Sequence, residues 1–541
     1  MNPWHDFIRI LANLQETLTV ADRRELVRTA GLLDRIGAEL EWQGSPKSFV
    51  QELLSKLHAQ GKATFVGFVQ SVRDNYPWGI ADQQLLETVI ARLSAIQDAQ
   101  WQGLRARLPR LYIAHGMESA EDPFLAELAA GLEATGFEVI VAPAAATGGD
   151  GWRARLLQGI GLCDGGLIVL DDRALTTVSA AQTPEDLPLF QDATLLRWRA
   201  WRDAKFVLAP ICRQNVTGAA LQQAPWARLD LDQLPTVIAS TAQDVLAQVG
   251  PRVAVLQAEA PATSWVVRLE LALAQHFAGL PPQLADDVLQ RLGDLPGNST
   301  DQYGRERRLA RAVLHHGLGG FQEVLDRARG GVLTAGRLGQ VFELVGPSWV
   351  DMRAAALIPR YTRRPDAERM FALNADYPAF TGEMYLLQAC QDPGGVEFRW
   401  RAIQVNEDDV NRIVDEEIRP NLIALFNSVK TRDYPDLQRR FRNDPNTLNR
   451  KVDEILNRKL RAWEAEGRPV FLLFAPDMFD ADKLAAIRNR YPSLTFFLLA
   501  GSQASQPPLP NADLLTPALP PDGEEIAKQM YDNAWDLIPA Q

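Results

Sequence analysis

Cysteine is scarce: the 541 residues hold three, Cys163, Cys212 and Cys390, far apart in the chain. That pattern offers neither a disulfide framework nor a cysteine zinc site, and it fits a reducing cytoplasm. Histidine is nearly as rare. Of six, only His315 and His316 are adjacent, and neighbours on a helix point in different directions, so the pair reads as a solvated face and no metal is expected. Positive charge is outnumbered, with 56 Lys and Arg against 68 Asp and Glu and a net charge of -12, which argues against a nucleic-acid partner. No apolar run reaches the ~20 residues that cross a bilayer, and the polar N-terminus has no signal-peptide pattern, so no membrane span is expected and the location expected is cytoplasmic. A phosphate loop, Gly-x4-Gly-Lys-Ser/Thr, is missing as well; Gly61-Lys62 is the Gly-Lys pair present.

What remains is a chain too long for one core, 46% hydrophobic and 23% charged, for which three or four domains are expected. Residues 1–97 predict helices only. Phe7, Ile8, Leu11 and Leu14 make one stripe, and Leu26, Leu32, Leu33 and Ile36 another. Thr19-Val-Ala-Asp22 has the form of a capping box. Ser45-Pro46 starts a helix that carries Phe49, Val50, Leu53, Leu54 and Leu57 on one face. After the Gly61 turn, Phe65 to Val72 and then Leu85 to Leu93 complete a compact helical bundle.

From Leu108 to Ala239 the pattern changes. Arg110-Leu-Tyr-Ile-Ala-His-Gly116 is a short apolar strand, and Asp122 caps a helix that begins with Pro123 and carries Phe124, Leu125, Leu128 and Leu132. Gly136 closes that helix, and Phe137 to Val141 is the next buried strand. A loop from Thr147 to Arg153 enters a helix. Gly166 to Leu170 is a strand, Gln191 to Arg202 a helix, Phe206 to Pro210 a strand and Leu234 to Ile238 a last one. Short strands alternating with helices imply a parallel sheet covered on both faces.

This order resembles a TIR domain, with a flavodoxin-type sheet, over residues 106–250. The resemblance rests on the strand ending at His115-Gly116, on Gly151-Trp152 opening the helix after the loop, and on Asp192-Ala-Thr-Leu-Leu-Arg-Trp-Arg199. It implies NAD as a substrate rather than a resident cofactor, with His115, Gly116, Gly151 and Trp152 bordering it. NAD-cleaving members place a glutamate beside the nicotinamide ribose, where a fixed anion stabilises an oxocarbenium-like transition state. Asp192 stands at that position here. Its side chain is one methylene shorter, a displacement on the order of 1 Å that can cost roughly a hundredfold in rate. Glu185, in the preceding loop, is the second candidate for the role. The alternative is that Asp192 only caps its helix. Trp152, Trp198 and Trp201 are candidates for stacking on a base, or core anchors.

The N-terminal bundle resembles the effector-associated and death-like adaptor domains of bacterial conflict proteins, through Arg23-Arg24-Glu-Leu26, Ala30-Gly-Leu-Leu33, Phe49 to Leu57 and the Gly61 turn. That implies like-with-like contact, protein partners and a homo-oligomer. Asp98 to Pro109 links the bundle to the TIR-like domain. Residues 262–335 predict a helical connector, in which Arg305-Glu-Arg-Arg308 is a solvated basic face.

Residues 336–541 alternate again. Glu383 to Ala389 is a buried element, and Phe398 to Val405 is strand-like. Asp408 to Phe426 is a helix interrupted at Pro420, and Leu448 to Trp463 is another. Pro469 to Ala475 and Leu494 to Leu499 are buried strands joined by the helix Asp480 to Arg490. This region resembles a P-loop-like signalling NTPase of the STAND type that has lost its nucleotide machinery. Asp477 follows its strand as a Walker B acid does, while Gly346-Pro-Ser-Trp349 stands near where a phosphate loop would have been, and its proline removes an amide a phosphate would need. No ATP hydrolysis is expected. The fold class is therefore multidomain, α plus α/β. The function expected is that of a bacterial immune or conflict protein whose TIR domains cleave NAD on assembly, or of a catalytically silent scaffold of the same build.

Overall fold

The computed structural model describes residues 7, 10–12, 14, 17–37, 40, 42, 45–95, 108–117, 122–143, 151–203, 205–213, 216, 218–258, 265–278, 280–292, 305–328, 335–390, 401–407, 409–476, 478, 480–520 and 522–536. Chain contacts divide it into two compact units, residues 1–196 with 203–333, and residues 334–541 with 197–202. Among the described residues the strands form two five-stranded parallel sheets, one in each unit.

The first unit opens with the helical bundle. Thr19 caps the Val20–Thr29 helix by accepting the Asp22 amide at 3.2 Å. Asp22 answers by taking the Thr19 hydroxyl at 2.5 Å rather than the backbone amide of a reciprocal box. Pro46–Ala59 starts on its proline, and Gly61, at φ 99°, turns the chain into Lys62–Asn75. Leu26, Phe49, Leu53, Phe65, Phe68, Leu86 and Val89 meet in one core. Arg23 lies inside it: its guanidinium donates to the carbonyls of Thr17 and Trp42 and sits 5.0 Å from the centre of the Phe49 ring. The arginine of the sequence motif is thus a buried strut.

The sheet of this unit comprises β1 Arg110–His115, β2 Glu138–Val141, β3 Gly165–Leu170, β4 Val207–Arg213 and β5 Val237–Ala239, ordered 2-1-3-4-5. That is a doubly wound order, with its switch point between β1 and β3. β3 is buried throughout, whereas β2, expected to be buried, is half-buried at every position because it is an edge strand. β4 runs on through Pro210. The ladder to β5 begins only at Ile211, so on that side the missing N–H costs no bond. The helix carrying Asp192 starts at Pro188, not Gln191. Beyond the sheet, Trp265–Phe277, Pro282–Leu292, Arg305–His316 and Leu318–Ala328 pack together as helices. The basic run there is not wholly solvated, since Arg307 and Arg311 bracket the buried Glu270 at 3.2 and 3.0 Å.

The second unit has β6 Met370–Leu373, β7 Arg401–Val405, β8 Val470–Phe474, β9 Thr495–Leu499 and β10 Asp513–Leu514, ordered 10-6-9-8-7. β8 and β9 are buried at every position, as their unbroken apolar runs require. Residues 398–400 and Asp477 lie outside the described residues. Gly346–Trp349 is a 3-10 turn closing the Ala335–Val345 helix, not a turn after a strand. The strand–turn–helix of this sheet is instead β6, Asn374 to Gly382 and Glu383–Cys390, and Trp349 stacks on Phe380 within that turn at 5.6 Å.

The helix from Val410 to Leu425 does not break at Pro420. It widens into a π-turn, Ile413–Ile418, just ahead of the proline, and a second π-turn, Val429–Asp433, precedes Pro435 in the same way. A π-turn gives a proline ring room against the preceding turn and lets the helix continue.

Candidate functional site

Three of the places singled out in the sequence converge inside the first unit. Tyr112 comes from β1, Arg155 from the Gly151–Gln158 helix and Asp192 from Pro188–Arg202. Asp192 Oδ2 accepts Arg155 Nη1 at 2.7 Å and the Tyr112 hydroxyl at 3.1 Å. The aspartate is only 1% exposed, and among the described residues its Oδ1 has no partner. Burial pushes its carboxyl up to about 6, against the pull of the Arg155 charge and of the hydrogen bonds from Arg155 and Tyr112. Burial, and then the Asp192 charge, push the Tyr112 hydroxyl up as well. Asp192 is five residues into its helix, so it does not cap it.

His115 has both ring nitrogens engaged. The Met117 amide can only donate, so Nδ1 accepts it at 3.2 Å, and Nε2 carries the proton given to the Ala142 carbonyl at 2.8 Å. Burial holds the ring below the usual histidine range and keeps it neutral. His115 therefore fastens the end of β1 to the residue after β2. Gly116 answers a steric demand: a Cβ there would lie 2.6 Å from Ala174 Cβ. Trp152 is buried with the Arg153 guanidinium 5.2 Å from its ring centre, and Trp198 and Trp201 are buried too. Glu185, in the turn Pro184–Asp186, pairs with Arg228 at 2.7 Å and shares no partner with Asp192. Nothing is described of residues 147–150, on which the loop expectation partly rests.

Tyr112 and Arg155 were not among the residues singled out. A signal for Arg155 existed, since it lies between Trp152 and Leu156 on the face those two bury. A cation on a buried helical face needs an acid opposite it.

The second unit holds another buried acid. Asp453, on Pro445–Ala465, accepts Arg419 at 2.8 and 3.2 Å, Arg490 at 2.7 Å and the Tyr491 hydroxyl at 2.5 Å. It lies under a polar cleft of about 610 Å³ that Asn411, Asp415, Asn449, Arg450 and Arg490 also line. Burial alone would raise this carboxyl, but the hydrogen bonds from Arg419, Tyr491 and Arg490 outweigh it and hold it below the usual carboxylate range. Among the described residues no group of three His, Cys, Asp or Glu is placed to hold a metal ion, and no helix is long and apolar enough to cross a membrane.

The family model of effector-associated domain 8 matches residues 1–93. The chain thus carries an N-terminal effector-associated domain, in the bundle where that resemblance was read. No curated protein and no solved structure matches the chain.

Proposed function

We propose that this protein is a signalling scaffold of the bacterial conflict type, whose effector-associated domain meets protein partners by like-with-like contact and whose TIR-like part, catalytically silent, serves assembly. One observation carries the reading. The single carboxylate at the glutamate position, Asp192, is 1% exposed and tied to Arg155 and Tyr112, so it is spent inside the core rather than presented to a ribose. Glu185 is likewise tied to Arg228. The doubly wound order of the first sheet supports the TIR-like assignment. In the second unit, the strand–turn–helix at β6 supports a P-loop-like core that has lost its phosphate loop, since Asn374 to Gly382 contains no lysine.

NAD cleavage on assembly is the second reading. The unpartnered Oδ1 of Asp192 and a carboxyl pushed up to about 6 favour it. One experiment separates the two: NAD loss over time with concentrated purified protein, light scattering for assembly size, and an Asp192→Asn variant alongside. An assembled sample that leaves NAD intact is the expected result. Loss that depends on assembly and disappears in D192N overturns the scaffold.

A further inference from the structure

The sheet of the second unit has a switch point of its own. After β6 the chain crosses to β7 at one edge, and after β9 it crosses to β10 at the other, while β6 and β9 lie side by side. In open parallel sheets a ligand crevice forms outside the strand ends at such a point. The two turns meet there: the Ser502 amide donates to Asp376 Oδ1 at 3.1 Å, and Gly501, at φ 91°, makes the bend that permits it.

The crevice is already filled, by the chain itself. Glu524, from the last helix, Gly523–Asp536, takes the Asp376 amide at 2.8 Å, the Tyr377 amide at 2.9 Å and the Thr381 hydroxyl. The carboxylate is 2% exposed, and among the described residues no lysine, arginine or histidine pairs with it. Its charge is met by consecutive backbone amides, a hydroxyl and the N-terminus of its own helix, which is how proteins hold phosphate and sulfate without a cation. The segment leading to it is pinned along the same strand end, by the Leu515 amide on the Ala372 carbonyl and by a two-way pairing of Asn374 with the Leu519 backbone at 2.7 and 2.8 Å.

We propose that the turn Asn374 to Gly382 is an oxyanion site for a phosphoryl group, occupied in this chain by Glu524, and that this occupancy docks the last helix. An external phosphoryl anion and the helix then exclude one another. The inference rests on the second unit alone and stands whether or not the scaffold reading does.

The test titrates inorganic phosphate into the full chain at fixed ionic strength, read by calorimetry, with hydrogen exchange following residues 523–536. Glu524→Ala is expected to bind phosphate at least tenfold more tightly than the wild type and to exchange faster in that helix. Adding Thr381→Val should weaken the binding severalfold. A folded E524A that binds phosphate no better than wild type overturns the proposal, as does phosphate binding that T381V leaves unchanged. Glu524→Gln, which keeps the shape and removes the charge, replaces the alanine variant if that one fails to fold, with the same expectations. Should neither fold, the wild type decides: phosphate is expected to quicken exchange across residues 523–536 relative to chloride, and equal exchange in the two salts overturns the proposal.

Discussion

Each unit buries a helix-borne aspartate, and the two are served differently. Asp192 has one arginine and one tyrosine, leaves an oxygen without a partner, and is pushed up to about 6. Asp453 has two arginines and a tyrosine, and is held below the usual range. Both are nearly out of water, so burial acts on both in the same direction. The number of donors reaching the carboxylate decides which way the balance falls. One unit therefore carries a carboxylate in an undersupplied site, and the other a carboxylate whose ionised form the fold supports.

The largest effect is expected where the support is greatest. Asp453→Ala leaves the buried Arg419 without its main partner, a loss of about 3–5 kcal/mol, and should unfold the second unit well before the first in urea, followed by hydrogen exchange. Equal losses in the two units would erase the contrast.

pH sharpens it further. A carboxyl raised on folding gives stability that is fully present below its unfolded value, near 3.8, and is lost as pH rises through about 6. For Asp192 the loss is on the order of 3 kcal/mol. Asp453, lowered on folding, behaves in the opposite way: its contribution is present above the unfolded value and is lost as pH falls. Urea melts from pH 4 to pH 7 should show the first unit weakening over a range in which Asp453 adds to the second. Asp192→Asn should flatten the first profile and leave the second unchanged. A D192N profile as steep as that of the wild type would assign the slope to another group.

The smallest effect compares the two tyrosines. Tyr491→Phe removes a 2.5 Å bond to a supported, ionised carboxylate and should cost about 1.5–3 kcal/mol, whereas Tyr112→Phe removes a 3.1 Å bond and should cost about 0.5–1.5 kcal/mol. Thermal melts of the two variants check the ranking.

Much of this framework was legible in the chain, for physical reasons that differ by region. Val470–Phe474 and Thr495–Leu499 are unbroken apolar runs, which only a doubly covered parallel strand accommodates, and both appear where expected. The Asp122 cap, Pro123 and Gly136 marked both ends of the Pro123–Ala134 helix. β6 was missed because four residues, Met370 to Leu373, give too short a run to stand out between Arg369 and Asn374. With β6 unseen, the turn after it went unread and Gly346-Pro-Ser-Trp349 took its place. The site was legible in its elements but not in its partners. His115, Gly151 and Asp192 pointed to the right strand and helices, but a buried ion pair is a contact across 37 residues, and no local spacing encodes it.

The π-turn at Ile413–Ile418 carries a consequence for how this chain can change. Adding one residue to an α-helix advances everything after it by about 100° around the axis. Arg419 lies just past such an insertion, and its reach to Asp453 depends on that added phase. Deleting a single residue from the turn would restore an ordinary helix and swing Arg419 off the acid, with no side chain in the network substituted. The network is thus set by a count of residues as much as by their identity, and a search for substitutions alone would overlook the change that undoes it.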